Sequence, residues 1–175
     1  MTKNKYKEKL IRFKCDETNL NIKNFEITGN VVKYGNNNVH AILNHFEPLP
    51  KTGIHYFQVK ILKTYGKNLI FGICTNEVKS LLNIYQSPQF IGLNLSERTI
   101  LGNSKSDIAI QPVEIVDGKS VVRVEIDMNK GVISWYLDHS FLCARKIPRE
   151  IAVKEVLPLI SFFNNEDSVE LIHQE

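Results

Sequence analysis

The fold class this chain predicts is an all-β sandwich or barrel with at most one or two short helices, and three observations carry it. Short apolar or alternating runs bounded by Gly, Asn, Asp or Pro recur along nearly the whole length, the clearest of them alternate with a period of two residues, and segments with helical character are scarce. A chain of 175 residues is near the usual size of one domain and is long enough to bury a single core.

The runs are, in order, FEITG, NVVKY, HAILNHF, IHYFQVKIL, NLIFGICT, QFIGLNL, RTILGN, SVVRVEIDM, GVISWYL, SFLCARKI, LPLISFF and SVELIHQ. In IHYFQVKIL, Ile54, Tyr56, Gln58 and Lys60 separate from His55, Phe57, Val59 and Ile61, and the second face is the more apolar, as a half-buried antiparallel strand requires. Gly72 and Gly92 lie inside apolar runs, where glycine marks a bulge or a close approach of backbones. Val122, Val124 and Ile126 point inward against outward Arg123, Glu125 and Asp127, and Asn129-Lys130-Gly131 turns that strand into the next, giving a hairpin. Trp135, the only tryptophan, is expected to face the core. Two short helices fit the remainder: Asn76 to Leu82 with Asn76 as cap, and Pro148 to Lys154 with proline at its first position. The chain divides into a basic arm over residues 1–14, at most partly ordered, and one domain over residues 15–175.

Composition narrows the function classes. No apolar run approaches the length of a membrane span, and the N-terminal MTKNKYKEKLIRFK lacks the apolar centre of a secretory signal. Three widely spaced cysteines, Cys15, Cys74 and Cys143, suit buried thiols in a reducing compartment, so a cytoplasmic protein is expected, with the nucleus as the alternative. A net charge of +3, with acids and bases interleaved after the arm and no basic stripe carrying aromatics, gives no nucleic-acid groove. Lys3, Lys5, Lys7, Lys9, Arg12 and Lys14 read as a solvated terminus.

Asp138, His139 and Ser140 have the residue types of a hydrolytic triad, but neighbours in an extended segment point to opposite faces and in a turn fan outward, so the three read as a hairpin loop. His40, His45 and Glu47 could ligate a metal, yet on a strand the two histidines face opposite ways and no second cluster completes the site. His55 and His173 stand alone. Glu125 with Asp127 and Glu166 with Asp167 fall where strands need outward polar residues or a turn, which leaves no acid/base pair. No catalytic residue, metal or cofactor is expected. Tyr34, Tyr65 and Tyr85 each border a loop rich in Gly, Asn or Pro, where an amphipathic ring supplies contact area at low entropic cost, and they are candidates for a binding surface.

Several pieces, in order, resemble the SPRY domain family. Gly53-Ile54-His55-Tyr56-Phe57-Gln58-Val59-Lys60-Ile61 is similar to that family's G-x-x-Y-F-E-V-x-I strand, with Gln58 in place of glutamate, and Asn68-Leu69-Ile70-Phe71-Gly72-Ile73-Cys74 resembles its following x-x-x-V-G-I-A strand. Glu125 through Asp138 resembles its hairpin V-x-L-D-x-x-x-G-x-L-S-F-Y-x-N-G, and Leu157 to Ser161 with Asp167 to Leu171 its closing pair of strands. The likeness runs from about Gly29 to Ile172; Asp138-His139 stands where the family usually has Asn-Gly, and the family's frequent Trp-Gly pair is missing between Cys74 and Phe90.

The resemblance implies a twisted sandwich of two antiparallel sheets, of the concanavalin-like jelly-roll kind. It also implies a non-catalytic adaptor that binds a protein or peptide through loops at one end, as in ubiquitin-ligase, chromatin and signalling assemblies. Carried over by position, the peptide pocket of such members falls on Gly35, Asn36, Asn37, Asn38, Val39 and His40, on Tyr85, and on Asn164 with Asn165. Asparagine amides there can donate to and accept from a peptide backbone. A monomer is expected, contacting neither nucleic acid nor membrane. The alternative is a lectin-like carbohydrate binder on the same kind of sandwich, built around calcium or an exposed aromatic platform.

Overall fold

The computed structural model of the chain describes residues 9–11, 24–35, 41–43, 47–66, 68–78, 87–102 and 109–172. Each of the twelve runs becomes a strand: β2 (Phe25–Thr28), β3 (Val31–Tyr34), β4 (Ala41–Leu43), β5 (Ile54–Lys63), β6 (Ile70–Thr75), β7 (Phe90–Asn94), β8 (Thr99–Leu101), β9 (Val121–Asp127), β10 (Val132–Leu137), β11 (Ser140–Lys146), β12 (Val156–Phe162) and β13 (Ser168–Ile172). One further strand, β1 (Lys9–Leu10), comes from the basic arm and pairs in parallel with β5 through Lys9↔His55 and Leu10↔Tyr56. The other residues of the arm lie outside the described part.

The strands form two sheets. One has eight strands in the order β11-β10-β9-β5-β13-β3-β2, with β1 alongside β5; the other has five, β4-β12-β6-β7-β8. All pairs except β1 with β5 are antiparallel. Alternation sets what lies between the sheets: Phe57, Val59 and Ile61 of β5, Val122, Val124 and Ile126 of β9, and Ile133 and Trp135 of β10 are buried in one cluster with Phe71, Ile73, Leu93, Val156, Ile160 and Phe162 from the opposite sheet. Trp135 is fully buried, and its indole Nε1 donates across the sandwich to the Phe71 carbonyl at 2.8 Å.

β6 and β7 are buried at every position. The alternate residues Ile70, Cys74, Phe90 and Leu159 join Ile42, Val78 and Leu101 in a second cluster on the other face of the five-stranded sheet. A strand covered on both sides needs no polar face, which is why NLIFGICT reads as a continuous apolar run. Gly72 pairs with Gly92 at the centre of this region, and a Cβ on Gly72 would lie 2.0 Å from the Ile91 carbonyl oxygen. The close approach expected of these glycines is present.

The helices differ in detail from expectation. α1 spans Arg149–Ala152, one turn, with Pro148 as its N-cap residue rather than its first helical position. Asn76 and Glu77 form a turn, Val78 is buried outside any helix, and residues 79–82 of the other expected helix lie outside the described residues. Among the described residues no helix is long and apolar enough to cross a membrane.

Register decides which loops meet. Lys63 pairs with Ser168, Ser161 with Ile70, and Phe162 with Ala41, so the connections 64–69, 163–167 and 35–40 all leave the sandwich at one end. Thr75 pairs with Val156 and Cys74 with Phe90, so Val78 and Ser87, which bracket residues 79–86, belong to the opposite end.

Candidate partner-binding site

At the first of these ends three connections are tied together by Asp167. Its side chain points inward because it shares the face of Val169 and Leu171, and the residue is wholly buried. Oδ1 accepts the Tyr65 amide at 2.9 Å, while Oδ2 accepts the Asn164 amide at 3.2 Å and the Asn164 side-chain Nδ2 at 3.3 Å. The backbone continues the link: Tyr34 N donates to the Asp167 carbonyl at 2.8 Å and Glu166 N to the Tyr34 carbonyl at 2.9 Å, at the root of the 35–40 connection. Burial pushes the Asp167 carboxyl up from its ordinary value, opposed by the hydrogen bonds from Tyr65, Asn164 and Thr64.

Above this buried acid the rim is exposed and mixed in character. Tyr65 is 57% exposed, with the Lys63 Nζ 4.6 Å from its ring centroid. Hydrogen bonding to the Tyr65 side chain is the leading cause that raises the Lys63 ammonium pKa. Lys33 pairs with Glu166 at 2.8 Å, and the hydrogen bond to that carboxylate raises its pKa too. Glu166 is held in a left-handed turn at φ 72°. Gly66 packs against the Asn164 side chain so closely that a Cβ there would stand 2.9 Å from its Nδ2.

The structure therefore brings Tyr65, Asn164, Asn165 and Gly35 to one end. It corrects the assignment of Tyr34: the ring has no exposed surface and packs against Phe25 at 5.6 Å and Phe162 at 6.2 Å, because Tyr34 shares the inward face of Val32. Asn36, Asn37, Asn38, Val39, His40 and Tyr85 lie outside the described residues; the first five are bracketed in sequence by Gly35 and Ala41 of this end, and the segment holding Tyr85 by residues of the opposite end. Lys33 and Lys63 were not singled out from sequence, and Asp167 was weighed there only as half of an outward acid pair with Glu166.

The remaining reactive side chains are accounted for locally. Asp138 and His139 form a two-residue turn, φ 48° and 70°, between the paired residues Leu137 and Ser140, so Ser140 belongs to β11 and not to the loop. The Asp138 carboxylate turns away from the histidine to accept the Val121 amide at 2.7 Å and the Ser120 hydroxyl at 3.2 Å. Beside this turn a shallow cavity of about 240 Å³, lined by Gln58, Val121, Arg123, Glu125, Tyr136 and His139, lies on the outer face of the eight-stranded sheet. His55 donates from Nε2 to the Thr52 carbonyl at 2.8 Å. His40, His45 and His173 lie outside the described residues, and among those described no cluster of three or more His, Cys, Asp or Glu side chains could hold a metal.

The family model for the SPRY domain matches residues 54–174. Among solved structures, a human SPRY domain aligns with a TM-score of 0.69 at 13% identity, covering 85% of this chain and 94% of that one. The SPRY domain of human HERC1 aligns with a TM-score of 0.67 at 11% identity, covering 87% and 96%. The PSpry domain of TRIM65 aligns with a TM-score of 0.68 at 16% identity, covering 95% and 94%. At these identities the likeness speaks for the fold. No curated protein sequence matches significantly.

Proposed function

Because this chain belongs to the SPRY domain family, whose members generally serve as non-catalytic protein–protein interaction modules, we propose that it binds a peptide or protein segment through the end of the sandwich that carries Tyr65 and Asn164. The observation that carries this reading is that one buried carboxylate fixes the backbone beneath an exposed aromatic ring together with an asparagine loop. A ring carried on a fixed backbone loses less freedom on contact than one on a loose loop, and a backbone-like amide beside it supplies directional hydrogen bonds. The neighbouring lysines Lys33 and Lys63, raised in pKa, stay cationic across the physiological range and suit a partner with acidic groups beside its docking residues.

In this reading Asn36 to His40 extend the same surface from Gly35, and Asn165 borders it. Tyr85 is proposed as a separate contact. A cytoplasmic or nuclear adaptor acting as a monomer is the corresponding cellular role, and buried Cys74 and Cys143 are in keeping with a reducing compartment.

The test is peptide selection from a display library on the wild-type chain, followed by affinity measurement on Tyr65→Ala, Asn164→Ala, Tyr85→Ala and an alanine replacement of Asn36 to Asn38. Removing an exposed hot-spot ring is expected to weaken binding about tenfold or more, with the melting temperature of Tyr65→Ala nearly unchanged. Peptides that bind all four variants like wild type would overturn the site.

A further inference from the structure

We propose that Asp167 is the positioning residue of this site, its buried carboxylate locking the Tyr65 loop to the Asn164 turn so that both meet a partner already in place; the inference rests on the reading of this rim as the partner surface.

The geometry asks for a carboxylate in particular. The two oxygens serve different loops, Oδ1 the Tyr65 amide and Oδ2 the Asn164 amide and side chain. An ionised carboxyl is the only common side chain of this size that accepts at both ends, since an amide offers one oxygen and turns a donor toward the other loop. Closing the sandwich does not need this arrangement. The same junction is already held by backbone bonds, Tyr34 N to Asp167 O at 2.8 Å, Glu166 N to Tyr34 O at 2.9 Å and Asp167 N to Asn164 O at 3.1 Å, and by the pairing of Ser168 with Lys63 and Lys33. What the side chain adds is the fixed height of the loop from Thr64 to Gly66, whose Tyr65 is otherwise exposed to solvent. The absence of a Cβ at Gly66 lets that loop approach the Asn164 amide.

An acid removed from water in this way is a liability for the fold, as the upward displacement of its pKa records.

Amide hydrogen exchange by NMR on the full chain tests the assignment without any partner, so its failure and the failure of the binding reading are separable. In Asp167→Asn, one or both of the Tyr65 and Asn164 amides are expected to exchange roughly tenfold faster, while Val124 and Trp135 keep their protection. In the wild type, both amide proton shifts are expected to titrate together with the Asp167 carboxyl carbon. Unchanged protection of both amides in a folded Asp167→Asn would overturn the proposal. So would amide shifts that ignore the carboxyl titration, and that wild-type measurement decides alone should Asp167→Asn lose protection everywhere.

Discussion

Trp135 of β10 and Phe71 of β6 are joined across the sandwich by an indole N–H that donates to a backbone carbonyl at 2.8 Å. The bond lies in the middle of the main core, between strands of different sheets. Replacing Trp135 with Phe removes the donor and leaves part of the indole volume empty. The expected loss is about 2–4 kcal/mol of unfolding free energy. Urea unfolding followed by circular dichroism measures it, and a loss within experimental error would mean that the bond contributes nothing to joining the sheets.

Gly72 and Gly131 are both glycines of the recognisable motifs, but for different reasons. At Gly72 a methyl group would meet the Ile91 oxygen at 2.0 Å and the Gly92 Cα at 2.6 Å, both backbone atoms that cannot swing aside. Gly131 has open space around it and only a positive φ of 64°. Gly72→Ala is therefore expected to cost roughly 3 kcal/mol or more, against about 1 kcal/mol for Gly131→Ala. Paired melting curves check the ranking, and equal shifts would contradict it.

The turn at Asp138-His139 carries a local conflict. Both residues are left-handed, φ 48° and 70°, in the two-residue hairpin geometry that favours Asn-Gly. Asp138 is compensated by its bonds to Val121 N and Ser120 Oγ, whereas His139 is exposed and its strain has no such offset among these contacts. His139→Gly should raise stability by about 0.5–1 kcal/mol after glycine's own entropic cost. Thermal denaturation of the single variant measures this, and destabilisation would show that the imidazole makes a contribution larger than the strain.

Strand positions were legible because a period of two leaves a trace in every half-buried run, and the doubly covered β6 and β7 were legible as continuous apolar runs. The site was legible in part. Tyr65 could be picked out by its turn chemistry and Asn164 with Asn165 by position in the family resemblance, but a loop's neighbours in space follow from register between distant strands, as when Ser168 meets Lys63. Two residues were misread although the signal was present. Carried one step past Val32, the alternation of NVVKY points Tyr34 inward, and carried one step before Val169, that of DSVEL points Asp167 inward. Proximity to a loop suggested exposure for both, and parity along the strand decided otherwise. The arm's β1 strand left no pattern because two residues are too few to show one.

The buried acid makes the stability of this fold depend on pH in a definite direction. Desolvation holds the Asp167 carboxyl above the ordinary value of 3.8, so the folded chain takes up this proton at a higher pH than the unfolded chain. Between the raised value and 3.8 the native state binds the extra proton, and the contribution of this group to stability rises as pH falls through that window. Above the window the full cost of the ionised form is present. Lys33 and Lys63, both raised in pKa from 10.5, remain charged throughout it, so neither changes the sign. Asp167→Asn has no proton to take up and serves as the reference. The difference in unfolding free energy between wild type and Asp167→Asn, read from urea titrations from pH 7 down to pH 4, is expected to move in favour of wild type as the pH falls toward 3.8. A difference that stays constant would place the Asp167 carboxyl at its ordinary value, and one that moves toward the variant would place it below. In the same series the Tyr65 amide of the wild type should lose protection as the carboxyl is neutralised, since a protonated oxygen is a poorer acceptor. The contribution of this group to stability would then rise while the candidate binding rim loosens, two opposite responses to one proton.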